Sequence, residues 1–351
     1  MTRTKTIATS VVVLLAASLA GCASTPATGD AAEGSEKSIK DCTVTMIPKS
    51  TDNPYFAAVH TGFIQAQEEL GGKLEYVGPA AGEVTAQIQR IQSAGQQKSC
   101  AIGVAALDPT AVAPSLDAAA KLGTKVVAWD GDIAEGSRGI FVNMATATSL
   151  GESQFEILAK AMDNSGEWAI ISSQSTADSK NLWITAMEDM AAGDEYSGME
   201  LVKTTFGDDD SKKSYDLAVS LIRAYPELKG IMAPTPVALE AAIKAVYDLG
   251  VEKQIVVTGL GNPGNDAELL TSGKVPAYVL WSPVDLGYLT YYATAAYIEG
   301  DITGAEGETF DAGRLGEKTI GANGEIIMGD PVVYTADNVE AAIDKDFKAT
   351  N

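Results

Sequence analysis

Histidine is almost missing from this 351-residue chain, and His60 stands alone. A single imidazole excludes multi-histidine zinc sites and most histidine-dependent catalytic triads. His60 itself falls one turn into a helical stretch and reads as a packed or surface residue. Basic residues are scarce, with 25 Lys and Arg against 47 Asp and Glu, a formal charge of −22. Such a surface repels phosphate backbones and excludes nucleic acid as a partner. The three cysteines are not paired at zinc-ligand spacing, and neither a P-loop nor a G-x-S-x-G motif occurs. No metal and no cofactor is expected. One long apolar run exists, residues 7–20, and its 14 residues fall short of the roughly 20 that span a bilayer.

What is present begins with that run. Arg3 and Lys5 precede it, as in a secretory signal, and Leu19-Ala20-Gly21-Cys22 follows. The tetrapeptide resembles a bacterial lipobox, which implies lipidation of Cys22 after loss of residues 1–21; an ordinary signal peptide with a nearby cysteine is the alternative. Without residues 1–21 the body carries −24. Residues 22–40 are small, polar and aperiodic, the composition of a flexible tether with a span of roughly 20–25 Å. The expected location is the outer face of the cell membrane, reached by export and held by the lipid anchor alone.

From residue 43 onward, short Val- and Ile-rich runs alternate with amphipathic stretches, and 46% hydrophobic residues suffice for a large core. Strands are predicted at 43–48, 74–77, 101–107, 125–130 and 139–142, then at 168–172, 199–205, 230–233, 254–259 and 277–281. Continuous rather than alternating apolar runs belong to strands covered on both faces, so the fold class is α/β with parallel sheets. Two series of about five strands predict two doubly wound lobes joined near residues 142–145. Cys42 and Cys100 each immediately precede a strand. Adjacent parallel strands would bring both to one sheet edge, and in an exported protein a Cys42–Cys100 disulfide is expected over two buried thiols.

Doubly wound sheets bind ligands beyond the carboxyl ends of their strands. Those ends carry Lys49, Asn53, Tyr55 and Phe56, then Asp108, Asp130 and Asp132. In the second series they carry Ser179, Lys180, Asn181, Pro234, Thr235, Asn262 and Trp281. Aromatic rings to cover a C–H face, with carboxylates and amides to fix hydroxyls, suit a small polyhydroxylated ligand. Each position alone also fits a turn or helix cap, and Lys49 also fits a structural ion pair with Asp108 or Asp130. Gly259-Leu260-Gly261-Asn262-Pro263-Gly264 matches G-x-G-x-x-G, but late in the chain and without the ribose-binding acid after the next strand, so a nucleotide site is not expected. Asp208-Asp209-Asp210 lacks EF-hand spacing and reads as a solvated turn.

Taken in order, IPK, NPYF, AWDGD, APT, VTGLGNP, LWSPVDLGY and DAGRLG resemble the periplasmic-binding-protein type I superfamily of ABC-transporter solute receptors, over residues 42–340. Within it the chain is most similar to the branch of rhamnose-binding and autoinducer-2-binding receptors. The resemblance implies two lobes joined by three crossovers and closing on one ligand. The N-terminal lobe would be residues 41–143, completed by about 282–315, and the C-terminal lobe residues 144–281, completed by about 316–351. It also implies ligand contacts at Lys49, Asp130 and Pro234. Ser179-Lys180 stand where the autoinducer receptor has Asp-Gln, and Pro236 where it has Ala, which favours a deoxysugar or related monosaccharide. Gly261 replaces a sugar-binding Asp of other branches, leaving Asn262 as a substitute. The implied partners are a small neutral sugar and the transmembrane subunits of an ABC permease, with the receptor itself monomeric. The alternatives are an autoinducer-2 receptor, a receptor signalling to a membrane sensor, and an exported glycoside-acting enzyme using Asp108 and Asp130.

Overall fold

The computed structural model describes residues 37–80, 82–175 and 177–347. The expected leader, Cys22 and the tether up to residue 36 lie outside the described residues. Strand β1 (Thr43–Ile47) is followed by α1 (Pro54–Leu70), β2 (Lys73–Tyr76), α2 (Val84–Gln96), β3 (Ala101–Val104), α3 (Pro109–Ala120), β4 (Lys125–Trp129) and β5 (Ile140–Asn143). The strands pair in parallel in the order β2-β1-β3-β4-β5. All four residues of β3 are buried, as a strand covered on both faces requires.

The second lobe repeats the pattern. It comprises α4 (Ala147–Ala161), β6 (Ser165–Ser172), α5 (Asp178–Ala191), β7 (Gly198–Phe206), α6 (Ser211–Ala224), β8 (Leu228–Ala233), α7 (Pro236–Asp248), β9 (Val256–Gly259), α8 (Pro263–Thr271) and β10 (Tyr278–Leu280). Its parallel sheet runs β7-β6-β8-β9, and a Leu260–Val279 bridge sets β10 beside β9. Strand order reverses at β1 in one lobe and at β6 in the other, which opens a crevice at the carboxyl ends.

Helix α9 (Pro283–Glu299) then returns to the first lobe. It is buried around most of its circumference and crosses α1 at close quarters. A Cβ added to Gly62 would collide with the backbone of Val284, and one added to Gly287 with the backbone of Val59. Hairpin β11 (Thr309–Asp311) and β12 (Glu317–Thr319) follows, then β13 (Glu325–Ile327), which pairs parallel with β5. The chain re-enters the second lobe at β14 (Val332–Tyr334), antiparallel to β10. It therefore crosses between lobes three times.

Two expectations need adjustment. Residues 316–327 were assigned to the second lobe, yet β13 extends the first sheet. The four strands β11–β14 were not foreseen, because three residues are too few to establish a period. At the amino ends of the adjacent strands β1 and β3, Cys42 and Cys100 are disulfide-bonded with Cα atoms 5.6 Å apart.

Candidate functional site

Five helices begin with proline in their first turn behind a side-chain cap: Asn53, Asp108, Thr235, Asn262 and Ser282. Proline supplies the helical φ and the cap oxygen accepts an orphan N–H. Asn53 thus receives the N–H of Tyr55, Asp108 those of Thr110 and Ala111, Thr235 that of Ala238, and Asn262 that of Gly264. These four expected site residues are engaged as caps. Their placement at strand ends and their capping have the same origin.

Four other residues are joined by contact. Lys49, two residues past β1, donates from Nζ to Asp130 Oδ1 at 2.6 Å. The Tyr55 hydroxyl donates to Asp130 Oδ2 at 2.7 Å and accepts from Trp281 Nε1 at 2.8 Å. Burial, and then the negative charge of Asp130, raise the Tyr55 pKa well above its ordinary value, so the hydroxyl stays a donor. The rings of Tyr55 and Trp281 lie 6.3 Å apart and perpendicular. Tyr55 packs against the apolar clusters of both lobes, and Trp281 sits where β10 crosses over to α9. The relay therefore stands on the hinge.

The backbone holds Asp130 in an unusual posture. Its φ is +60°, a left-handed conformation that Asp and Asn tolerate better than most residues. Gly131 follows for a steric reason: a Cβ there would lie 2.8 Å from the Ala106 carbonyl oxygen and 3.0 Å from Lys49 Nζ. Gln87, fully buried on α2, clamps the neighbouring loops. Its Nε2 donates to the carbonyls of Pro48 and Ala105, and its Oε1 accepts from Leu107 N. Nothing in the helical pattern around Gln87 distinguishes it from a surface glutamine, so sequence reasoning passed over it.

From the second lobe, Lys180 interacts electrostatically with both Lys49 and Asp130. Its Nζ lies 3.5 Å over the ring of Trp183, which is buried in the second-lobe core. Desolvation lowers the Lys180 pKa to about 7, against the raising effect of Asp209. Pro234 is buried at the end of β8. Ser179 is exposed, and Asn181 donates to the Ser175 carbonyl.

Two further expected site residues have protein partners of their own. Asp132 is ion-paired with Arg138, accepting from Nη2 at 2.7 Å as well as from Nε, and so braces its own loop. Phe56 is 4% exposed and packs edge-on at 5.9 Å against Trp129 in the first-lobe core. A hollow of about 650 Å³ between α7 and α8 shares no residue with the relay; chemistry rather than volume marks the site. Among the described residues no group of three or more His, Cys, Asp or Glu is placed to hold a metal ion. No described helix is long and apolar enough to cross a membrane.

A profile described as periplasmic binding protein domain matches residues 44–302. The chain belongs to that family. A sugar ABC transporter protein from Actinomyces odontolyticus is 36% identical, with 86% of this chain and 98% of that one covered and a TM-score of 0.81. A solute-binding protein of an ABC transporter from Clostridium phytofermentas, bound to L-rhamnose, is 32% identical over 87% and 98%, with a TM-score of 0.74. LsrB from Clostridium saccharobutylicum in complex with AI-2 shares the fold at 22% identity and TM-score 0.71, over 85% and 99%. The binding-protein fold is thus that of sugar ABC-transporter receptors, with parallel sheets flanked by helices, and its neighbours are transport receptors rather than enzymes.

Proposed function

We propose that this protein is the extracytoplasmic receptor of an ABC importer and captures a small neutral sugar, a rhamnose-like deoxyhexose or related monosaccharide, by hinge closure. The observation that carries this reading is the relay of Lys49, Asp130, Tyr55 and Trp281, which presents an ammonium, a carboxylate and two aromatic edges at the crossover between lobes. Such groups recognise hydroxyls in fixed positions, and a ligand contacting both lobes shifts an open–closed equilibrium. Lys180 and Pro234 extend the contact set into the second lobe.

The remaining parts of the reading follow the family. A lipid on Cys22 would hold the receptor near the permease, as a monomer. The glycosidase reading would pair Asp108 with Asp130, whereas Asp108 Oδ1 accepts the Thr110 and Ala111 N–H groups and caps α3.

Thermal unfolding with L-rhamnose, D-arabinose, D-allose and autoinducer-2 tests the proposal. Ligand at one hundred times its dissociation constant adds about 2.7 kcal/mol of stability. A rise in melting temperature with one of the sugars, and recovery of that sugar unchanged, is expected. Turnover of the sugar, or no shift with any of the four, would overturn the reading.

A further inference from the structure

Strand β1 ends against a chemical limit. At its carboxyl end, Ala105 N of the β3 segment donates to Ile47 O at 3.0 Å. Pro48 comes next, has no N–H, and so cannot carry the ladder on. Beyond that point the carbonyls of Pro48 and Ala105 and the N–H of Leu107 all meet one side chain, Gln87, which is 0% exposed. Its Nε2 donates to Pro48 O at 3.1 Å and to Ala105 O at 2.8 Å, while Oε1 accepts from Leu107 N at 3.0 Å. Only a primary amide offers two N–H donors and a carbonyl acceptor on one side chain, and here donors and acceptor are all engaged.

Each of these bonds leads to the relay. Pro48 is followed by Lys49, whose Nζ reaches Asp130 Oδ1. Ala106, held between the clamped residues Ala105 and Leu107, donates its N–H to Gly131 O at 3.1 Å, and Gly131 follows Asp130. One amide thus fixes the backbone on both sides of the Lys49–Asp130 pair.

We infer that Gln87 is a positioning residue for ligand capture: fully buried and out of a ligand's reach, it sets Lys49 against Asp130 and so governs the affinity of the cleft. The inference rests on the sugar-receptor reading and adds to it a residue on α2, away from the strand ends. Lys49 has a long side chain, and an ammonium aimed from a shifted backbone meets Asp130 and a ligand hydroxyl in poorer geometry. A backbone fixed before the ligand arrives spares that ordering cost on binding.

A double-mutant cycle on sugar affinity, read by titration calorimetry, tests the role. Gln87→Met keeps the length of the side chain and removes all three bonds. Its affinity for whichever of L-rhamnose, D-arabinose and D-allose binds the parent should fall about tenfold, equivalent to about 1.4 kcal/mol. In the Asp130→Asn background, where the pair is already weakened, the same substitution should cost less than about threefold. Equal losses in the two backgrounds would make Gln87 indifferent to the pair and overturn the inference, as would unchanged affinity in Gln87→Met. Gln154→Met is the comparison, because Gln154 is also 0% exposed but its Nε2 donates to Leu150 O on its own helix, α4. That variant should melt lower and still bind within about threefold of the parent. Should Gln87→Met not fold, Gln87→Asn, an amide one carbon short, carries the same cycle. Urea unfolding without sugar repeats the cycle on stability, where non-additive losses are expected and additive ones again overturn the inference. If no sugar binds the parent, the receptor reading falls, and the capture role of Gln87 falls with it whatever the urea cycle shows.

Discussion

Asp130→Asn separates charge from shape at the centre of the relay. Asn tolerates the +60° backbone about as well as Asp, so the substitution leaves the loop geometry alone. It removes the charge opposite Lys49 and weakens the acceptor for Tyr55. Hydrogen bonds to charged groups contribute roughly 1.5–3 kcal/mol and neutral ones about 1 kcal/mol, so two weakened bonds would cost about 2–3 kcal/mol if fully buried. The Asp130 side chain is 7% exposed but that of Lys49 is 32% exposed, and water recovers part of the loss. About 1–2 kcal/mol remains, a fall in melting temperature of about 2–8 °C. Sugar affinity should drop more, by about a hundredfold, because the carboxylate's own bonds to ligand and the aim of Lys49 are lost together. Calorimetry with the best-binding sugar, beside thermal unfolding, reads both quantities. Asp130→Ala should bind no better than Asp130→Asn and melt lower, since alanine in a left-handed conformation adds about 1 kcal/mol of strain. Affinity within threefold of the parent in Asp130→Asn would make Asp130 a hinge brace and refute the reasoning.

Breaking the Cys42–Cys100 bond by double replacement with serine opens a loop of sequence separation 58, and the chain-entropy relation gives about 4 kcal/mol. The first lobe should then melt about 8–16 °C lower; two alkylatable thiols in the unreduced parent would remove the premise. Asp132→Asn should leave sugar affinity within threefold while lowering the melting temperature by a few degrees, because its partner is Arg138; lost affinity at full stability would return Asp132 to the site. Asp266, buried beneath Glu240, has its carboxyl pushed up to about 7, chiefly by burial. Its neutral form therefore favours folding below the ordinary carboxylate range, and that contribution is lost as pH rises from about 4 to 7. Asp266→Asn should consequently melt higher than the parent at pH 8 and no higher at pH 4, as read by thermal scans at both values.

Much of the fold was legible because buried parallel strands are continuous apolar runs, and because cap-proline pairs such as Asn53-Pro54 and Asp108-Pro109 punctuate the helices. The same pairs blurred the site. An oxygen-bearing residue at a strand end serves a helix N–H or a ligand hydroxyl equally well in one dimension, so Asn53, Asp108, Thr235 and Asn262 could not be told apart from Asp130. Phe56 and Tyr55 are neighbours in the chain, yet one enters the core and the other faces the hinge. Gln87 left no trace, since its importance lies in which carbonyls happen to surround it.

Composition, periodicity and the order of strand-end motifs determined the α/β class and the binding-protein family, because these depend on local pattern and on what a strand end can present. Tertiary structure alone decided that Asp130 holds Lys49 and Tyr55 at once and that β13 extends the first sheet. Those facts join residues more than 70 positions apart along the chain. Whether a carboxylate caps, braces or binds depends on the partners that folding delivers to it.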